Sequence, residues 1–183
     1  MAVRRRVLER GERVHIHAPG VRDRDEYLTL VRRSRTLQRG WISPPRTPDA
    51  FAAWLARLRA GRHAGFLLRR NADGVLLGAV NVNEIVRGSL QSAYLGYWIG
   101  APFARQGSMS EGLALVLRRA FGPLRLHRLE ANVQPANVAS AALLRRLGFR
   151  QEGRSRRYLK VAGRWRDHDR FALLADEWRA GRR

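Results

Sequence analysis

The order of elements in this chain predicts a mixed α/β domain of three layers: a mostly antiparallel sheet of seven strands, one parallel pair at its centre, and about four helices. Seven segments read as strands, some by the period of two that places successive side chains on opposite faces and others as runs bounded by turn signals. Four others repeat apolar residues at helical spacing and are bounded by capping residues or glycines. A strand, helix, strand run in the middle of an order otherwise made of hairpins supplies the parallel pair.

The first strand is residues 13 to 18, where Val14 and Ile16 alternate with His15 and His17. The two histidines share a solvated or hydrogen-bonded face, and no third ligand accompanies them to make a metal site. Asp23 and Glu26 form a capping-box analogue that opens a helix carrying Tyr27, Leu30, Val31 and Leu37, which ends at Gly40. In the aromatic and proline loop of residues 41 to 45, Trp41 either lines a groove or fills the gap between two helices. Thr47 and Pro48 are an N-cap and an N1 proline for a helix bearing Phe51, Trp54, Leu55 and Leu58.

Residues 64 to 69 and 75 to 84 read as a hairpin turned by Asn71, Ala72, Asp73 and Gly74. Asn83 and Glu84 stand near its far end, and Glu84 is the only carboxylate there; it is either a proton acceptor at a site or a solvated strand end. In the strand at 92 to 100, Tyr94, Gly96, Trp98 and Gly100 alternate with Leu95, Tyr97 and Ile99. A glycine loop, Ala104 to Ser108, leads into a helix with Leu113, Val116, Leu117, Ala120 and Phe121, stopped by Gly122 and Pro123. A glycine turn entering a helix N-terminus suits a pyrophosphate, because the first amides are unpaired and carry partial positive charge. Arg105 adds a full charge. Against this, Ser108 and Glu111 fit a capping box, in which the helix satisfies its own amides and binds nothing.

Residues 127 to 134 read as a strand with Leu129, Ala131 and Val133 facing in. Asn137 caps a helix that runs to Leu147 and closes at Gly148. Residues 149 to 161 and 164 to 175 are two long final strands turned by Ala162 and Gly163. Arg154, Arg156, Arg157 and Arg164 make a basic face on them, which also guards an exposed edge. Asp167, His168 and Asp169 look like a charge relay without a nucleophile, and order the hairpin.

With 183 residues and 45% hydrophobic composition, the chain fits one domain spanning 1–183. The absence of cysteine excludes disulfides, thiolate metal sites and an acetyl-cysteine intermediate. Basic residues at 1 to 6 have no apolar run behind them, and no stretch approaches 18 apolar residues, so a cytoplasmic protein without a membrane span is expected. The net charge is +21, and Lys160 is the only lysine among 36 basic residues. Either a polyanion such as ribosomal RNA is a partner, or an arginine-rich codon preference colours the chain.

Several spaced motifs agree in order with one family. Leu95-Gly96-Tyr97-Trp98-Ile99-Gly100 is followed by Gly107 with Met109 and Glu111, then Glu130-Ala131-Asn132 with Asn137 and Ser140. Arg146-Leu147-Gly148-Phe149, Glu152-Gly153 and Gly163-Arg164-Trp165-Arg166-Asp167-His168 complete the set. Over residues 76 to 178 the chain resembles the GNAT N-acetyltransferases, and within them the RimJ type of ribosomal-protein alanine N-acetyltransferases. Ala104 and Met109 depart from the general loop pattern of that family.

The resemblance implies a sheet splayed at its parallel pair, with acetyl-CoA as co-substrate and no metal. It places Trp98, Ile99 and Gly100 beside the pantetheine arm, and the amides of Arg105, Gln106, Gly107, Ser108, Met109 and Ser110 on the pyrophosphate. Asn137 and Ser140 fall near the sulfur. Trp41, Asn83, Glu84 and Tyr97 are the candidate acceptor-site residues. Amine attack on a thioester needs an amide donor for the developing oxyanion, a proton route and a donor to the leaving thiolate. The Ile99 amide, Glu84 through water, and Ser140 or Tyr158 are the candidates, although Ser140 could instead help cap its helix and Tyr158 could simply pack. The implied function is Nα-acetylation of a protein N-terminus, with a ribosomal protein as acceptor. Two alternatives stand beside it: acetylation of a small-molecule amine, and a basic RNA-binding or ribosome-assembly factor on the same fold.

Overall fold

A computed structural model describes residues 6–181 of the chain; the expectations for residues 1 to 5 and for the last two residues lie outside it. The elements are β1 (Val7–Arg10), β2 (Val14–His17), α1 (Arg24–Arg33), α2 (Arg35–Gln38), α3 (Pro48–Arg59), β3 (Ala64–Arg70), β4 (Leu76–Val86) and β5 (Ser92–Ile99). They continue with α4 (Ser108–Phe121), β6 (Arg128–Val133), α5 (Val138–Arg146), β7 (Arg150–Val161), β8 (Arg164–Leu174) and α6 (Ala175–Ala180). One sheet runs β1-β2-β3-β4-β5-β6-β8-β7, antiparallel everywhere except between β5 and β6.

The three layers are as expected. α4 and α5 bury Leu113, Val116, Leu117 and Leu144 against one face of the sheet. On the other face, α1 and α3 pack Tyr27, Val31, Phe51 and Trp54 onto Leu67, Ala79 and Trp98. Tyr27 is the centre of this second cluster, with ring centroids 5.0 Å from Phe51 and 5.3 Å from both Trp54 and Trp98.

The sheet has eight strands rather than the seven expected. The missed one, β1, is a four-residue edge strand whose residues are half-exposed or exposed, so it shows no alternation, and only its pairing with β2 defines it. The helix expected from Asp23 to Gly40 is broken at Ser34, whose hydroxyl donates to Leu30 O at 2.7 Å and accepts from Ala101 N at 2.9 Å. A serine that bonds its own helix carbonyl competes with the backbone ladder.

Asp23 and Glu26 do not cap as a box. Their carboxylates hold buried Arg69, whose Nη2 lies 2.9 Å from Asp23 Oδ1 and 2.8 Å from Glu26 Oε2. Arg69 also donates to His17 Nε2 at 2.9 Å and Gly74 O at 2.6 Å, tying β2, β3 and the start of α1 together. His15 meets Asn71 Oδ1 at 2.9 Å, so both histidines are hydrogen-bonded. Thr47 and Asn137 cap their helices as the sequence indicates, accepting from Ala50 N and Ser140 N at 3.2 Å.

Candidate active site

β5 and β6 pair over only three registers, Ser92 with Arg128, Ala93 with Leu129 and Tyr94 with Glu130. Beyond Tyr94 they diverge. In an antiparallel ladder, alternate residues point their backbone groups at the same neighbour. Gly100 N donates to Leu77 O at 2.7 Å, which assigns even-numbered β5 residues to β4. Gln91 O accepts from His127 N at 2.8 Å, which assigns odd-numbered residues to the β6 side. Leu95, Tyr97 and Ile99 therefore present their N–H and C=O groups to the gap.

At the apex of the gap is a cavity of about 90 Å³, large enough to hold water. Leu95, Gly96 and Tyr97 form one wall, and the β6 end from Ala131 to Gln134 forms the other. Trp41 and Ile42 cover it, held there because Gln134 Nε2 donates to Gly40 O at 2.7 Å. Asn137, Ser140 and His168 complete the lining, and no carboxylate is among the lining residues.

Ser140 and Tyr97 are a hydroxyl pair at 2.7 Å. Asn137 Oδ1 accepts from the Ser140 amide, so the Ser140 hydroxyl is left for Tyr97 rather than for the helix. Burial pushes the Tyr97 hydroxyl up to about 12, against the opposing pull of its bond to Ser140. The pair is therefore a neutral proton donor at ordinary pH. Asn132 Oδ1, also at the cavity, is buried and has no hydrogen-bond partner among the described residues.

Past Ile99 the chain passes through Pro102 and the loop into α4. Gly107 is the N-cap with φ of 76° and no side chain to cap with, and Arg105 shares the left-handed region at 61°. Left-handed turn residues gather successive amides into an anion-binding concavity. The expected capping box is absent. Glu111 instead turns to the β1–β2 turn, accepting from Arg13 N at 2.8 Å, Val14 N at 3.3 Å and Arg13 Nε at 3.1 Å. With neither Ser108 nor Glu111 on them, the first α4 amides keep the unpaired state of a helix N-terminus.

The remaining candidates separate. Trp98 faces α1 and α3, 6% exposed, and the Gly100 amide is taken by Leu77, so of these three only Ile99 offers backbone to the gap. Gly100 is there for packing, since a Cβ would lie 2.5 Å from Leu30 Cδ1. Met109 puts its side chain in the core and leaves only its amide to the loop, while the Gln106 side chain bonds Pro102 O at 3.0 Å.

Asn83 lies behind Gly96, its Oδ1 buried without a partner among the described residues. Glu84 is outside the cavity lining. It is half-exposed at a β4 irregularity with φ of 49°, and its carboxylate is 3.3 Å from Arg62 Nη2 and 3.7 Å from His63 Nε2. Tyr158 is not in the lining either; its ring edge packs on His168 at 6.2 Å. His168 is the lining residue that the sequence reading used only for hairpin order. Among the described residues no group of three or more His, Asp or Glu could hold a metal, and no helix is long and apolar enough to cross a membrane.

This splayed sheet beside an uncapped helix N-terminus is that of an acyl-transfer fold, and the chain belongs to the acetyltransferase (GNAT) domain family, whose model matches residues 13–150. Among relatives, it is 41% identical over 107 residues to the [ribosomal protein uS5]-alanine N-acetyltransferase of Escherichia coli (strain K12), covering 58% of this chain and 55% of that one. It is 38% identical over 118 residues to the probable N-acetyltransferase YjcK of Bacillus subtilis (strain 168), covering 64% and 65%. The alignments thus span less than two thirds of these relatives. A solved Mycobacterium smegmatis RimJ in complex with CoA-disulfide is 29% identical, with a TM-score of 0.81, and covers 93% of this chain and 90% of that one. The RimJ-type resemblance read from the motifs is borne out.

Proposed function

We propose that the chain transfers the acetyl group of acetyl-CoA to the α-amino group of a protein N-terminus, with a ribosomal protein as acceptor. The observation that carries this is the open β5 edge, whose unpaired amides face a small cavity closed by the Ser140–Tyr97 pair. The uncapped α4 N-terminus and the partnerless Asn132 Oδ1 fit the same co-substrate, and relatives named for acetylating an alanine of uS5 or solved with CoA support it.

Acetyl-CoA supplies an activated thioester carbonyl. The loop amides from Arg105 to Ser110, with the Arg105 side chain, hold pyrophosphate charge. The odd-numbered amides of β5 orient the arm, with Ile99 nearer the loop and Leu95 or Tyr97 at the cavity, where an amide stabilises negative charge developing on the carbonyl oxygen. Ser140, backed by Tyr97, gives a proton to the leaving sulfur. Trp41, Asn132 and Gln134 shape the acceptor entrance.

The carboxylate-free lining also bears on the acceptor. An α-amine with a pKa near 7.7 to 8.0 is about a quarter to two fifths neutral at pH 7.5, whereas a lysine amine near 10.4 is neutral about once in a thousand. A cavity without carboxylates suits the amine that is already partly neutral, and disfavours polycationic small molecules. Exposed Arg156, Lys160, Arg164 and Arg166 on the β7–β8 hairpin would add attraction to ribosomal RNA, in a cytoplasmic setting. The test is intact-mass analysis of peptides with free alanine or serine N-termini against N-blocked peptides carrying an internal lysine, with acetyl-CoA at pH 7.5. Free N-termini should react faster; faster reaction of blocked peptides or aminoglycosides would overturn the assignment.

A further inference from the structure

We propose that His168 takes the proton from the acceptor amine, through its Nε2 atom directly or across one water. This rests on the acetyl transfer proposed above and supplies the proton route that Glu84, paired to Arg62 outside the cavity, does not.

His168 is 3% exposed yet lines the cavity. Its Nδ1 is 3.0 Å from Arg166 O on the same strand. A carbonyl only accepts, so in the neutral ring Nδ1 carries the hydrogen and Nε2 keeps the lone pair. No hydrogen bond within the described residues takes Nε2. The ring is held in this orientation by the Arg166 bond and by the Tyr158 ring packed at 64° to it. Of the other lining side chains only Tyr97 titrates, and at about 12 it is a donor rather than a base.

The neighbouring aspartates do not form a relay with the ring. Asp167 accepts from Arg157 N at 2.8 Å, and Asp169 is paired with Arg154 at 2.7 Å. The other charged or titratable groups around the histidine are Arg166 and Arg170 on its own strand and Tyr94 of β5, which bonds Tyr158; the Arg128–Glu130 pair lies farther along β6, opposite Leu174 and Ala172. Tyr94, raised to about 12, remains neutral, first through its hydrogen bond with Tyr158. The nearest carboxylates are thus already engaged, Asp169 by the Arg154 guanidinium and Asp167 by the Arg157 amide, and neither bonds the ring.

The step balances within the named groups. The amine nitrogen bonds to the acetyl carbon and loses one proton to His168 Nε2. The carbon–sulfur bond breaks, its electron pair leaves on sulfur, and that thiolate takes a proton from the Ser140–Tyr97 pair. Water then carries the imidazolium proton back to the Ser140–Tyr97 pair, which restores both groups.

The test is kcat/KM for a free-alanine peptide from pH 6 to 9.5, measured for the wild type and His168→Gln, with CoA-induced thermal shifts for both. Glutamine keeps a polar side chain of similar reach and cannot change charge. The expected result is an unchanged CoA shift, a roughly hundredfold or greater fall at pH 7, and recovery toward high pH as the free α-amine loses its proton unaided. An unchanged rate and pH profile in an active background would overturn the role of His168 alone. A wild type inactive on every free N-terminus would overturn the transfer reading, and the assignment with it. Should His168→Gln fail to fold, the 13C titration of the His168 ring in the wild type must coincide with the acid limb of the rate profile; a mismatch overturns the proposal.

Discussion

Arg69→Met should be among the most damaging single changes in this chain. Arg69 is 3% exposed and donates to four groups, the carboxylates of Asp23 and Glu26, His17 Nε2 and Gly74 O. Methionine retains most of the apolar stem, so the loss is electrostatic rather than a cavity. The Asp23 side chain, 3% exposed, would keep the Gly20 amide at 2.9 Å and a histidine nitrogen at 3.9 Å but lose the guanidinium buried against it. Removing one partner of a buried pair costs about 3 to 5 kcal/mol, because the other charge stays buried. The Glu26 contact adds little, since that side chain is 41% exposed and can turn to water. In a domain of this size each kcal/mol moves Tm by about 2 to 4 °C, so a fall of roughly 6 to 20 °C is expected in a calorimetric scan. Adding Asp23→Asn should recover part of the loss, because the amide keeps an acceptor for Gly20 while removing the charge. A Tm within 2 °C of wild type, or a double variant worse than the sum of the singles, would refute the account.

Two further outcomes concern the site. Ser140→Ala should lower kcat by roughly ten- to a thousandfold with CoA affinity within a few fold, since a proton donor acts mainly in the transition state; Tyr97→Phe should act in the same direction and the pair non-additively, and normal turnover in Ser140→Ala would move the donor role to Tyr97 or water. Gly107→Val should abolish most of the thermal protection by acetyl-CoA, which is about 2.7 kcal/mol at a hundred times Kd. Valine there must take φ of 76° and meet Arg13 Nη2 at 3.1 Å; an undiminished shift would show that the loop does not approach the ligand.

Much of the architecture is legible in local pattern. Seven of the eight strands are legible, some through period-two alternation and others as runs set off by turn signals such as Asp73-Gly74 and Ala162-Gly163. Thr47, Asn137, Gly148 and the Asp73-Gly74 turn are local devices, and each ends or opens an element where expected. The edge strand β1 left no such trace, because it buries neither face fully. The motifs also identified the family, since they are spaced along one chain and need no coordinates.

What the local pattern could not separate were residues with two possible partners. Ser108 and Glu111 have capping-box spacing, yet Glu111 is drawn 98 residues away to Arg13, and this frees the α4 amides. Asp23 and Glu26 look like another box until Arg69, buried in β3, takes both carboxylates. Trp98 and Ile99 are neighbours in sequence, but the ladder to β4 turns one side chain into the core and the other residue's amide into the gap. Glu84 lies outside the cavity lining and His168 within it for the same reason. Which of them reaches the cavity depends on where β5 and β6 part, a pairing between strands far apart in the chain that no window of sequence contains.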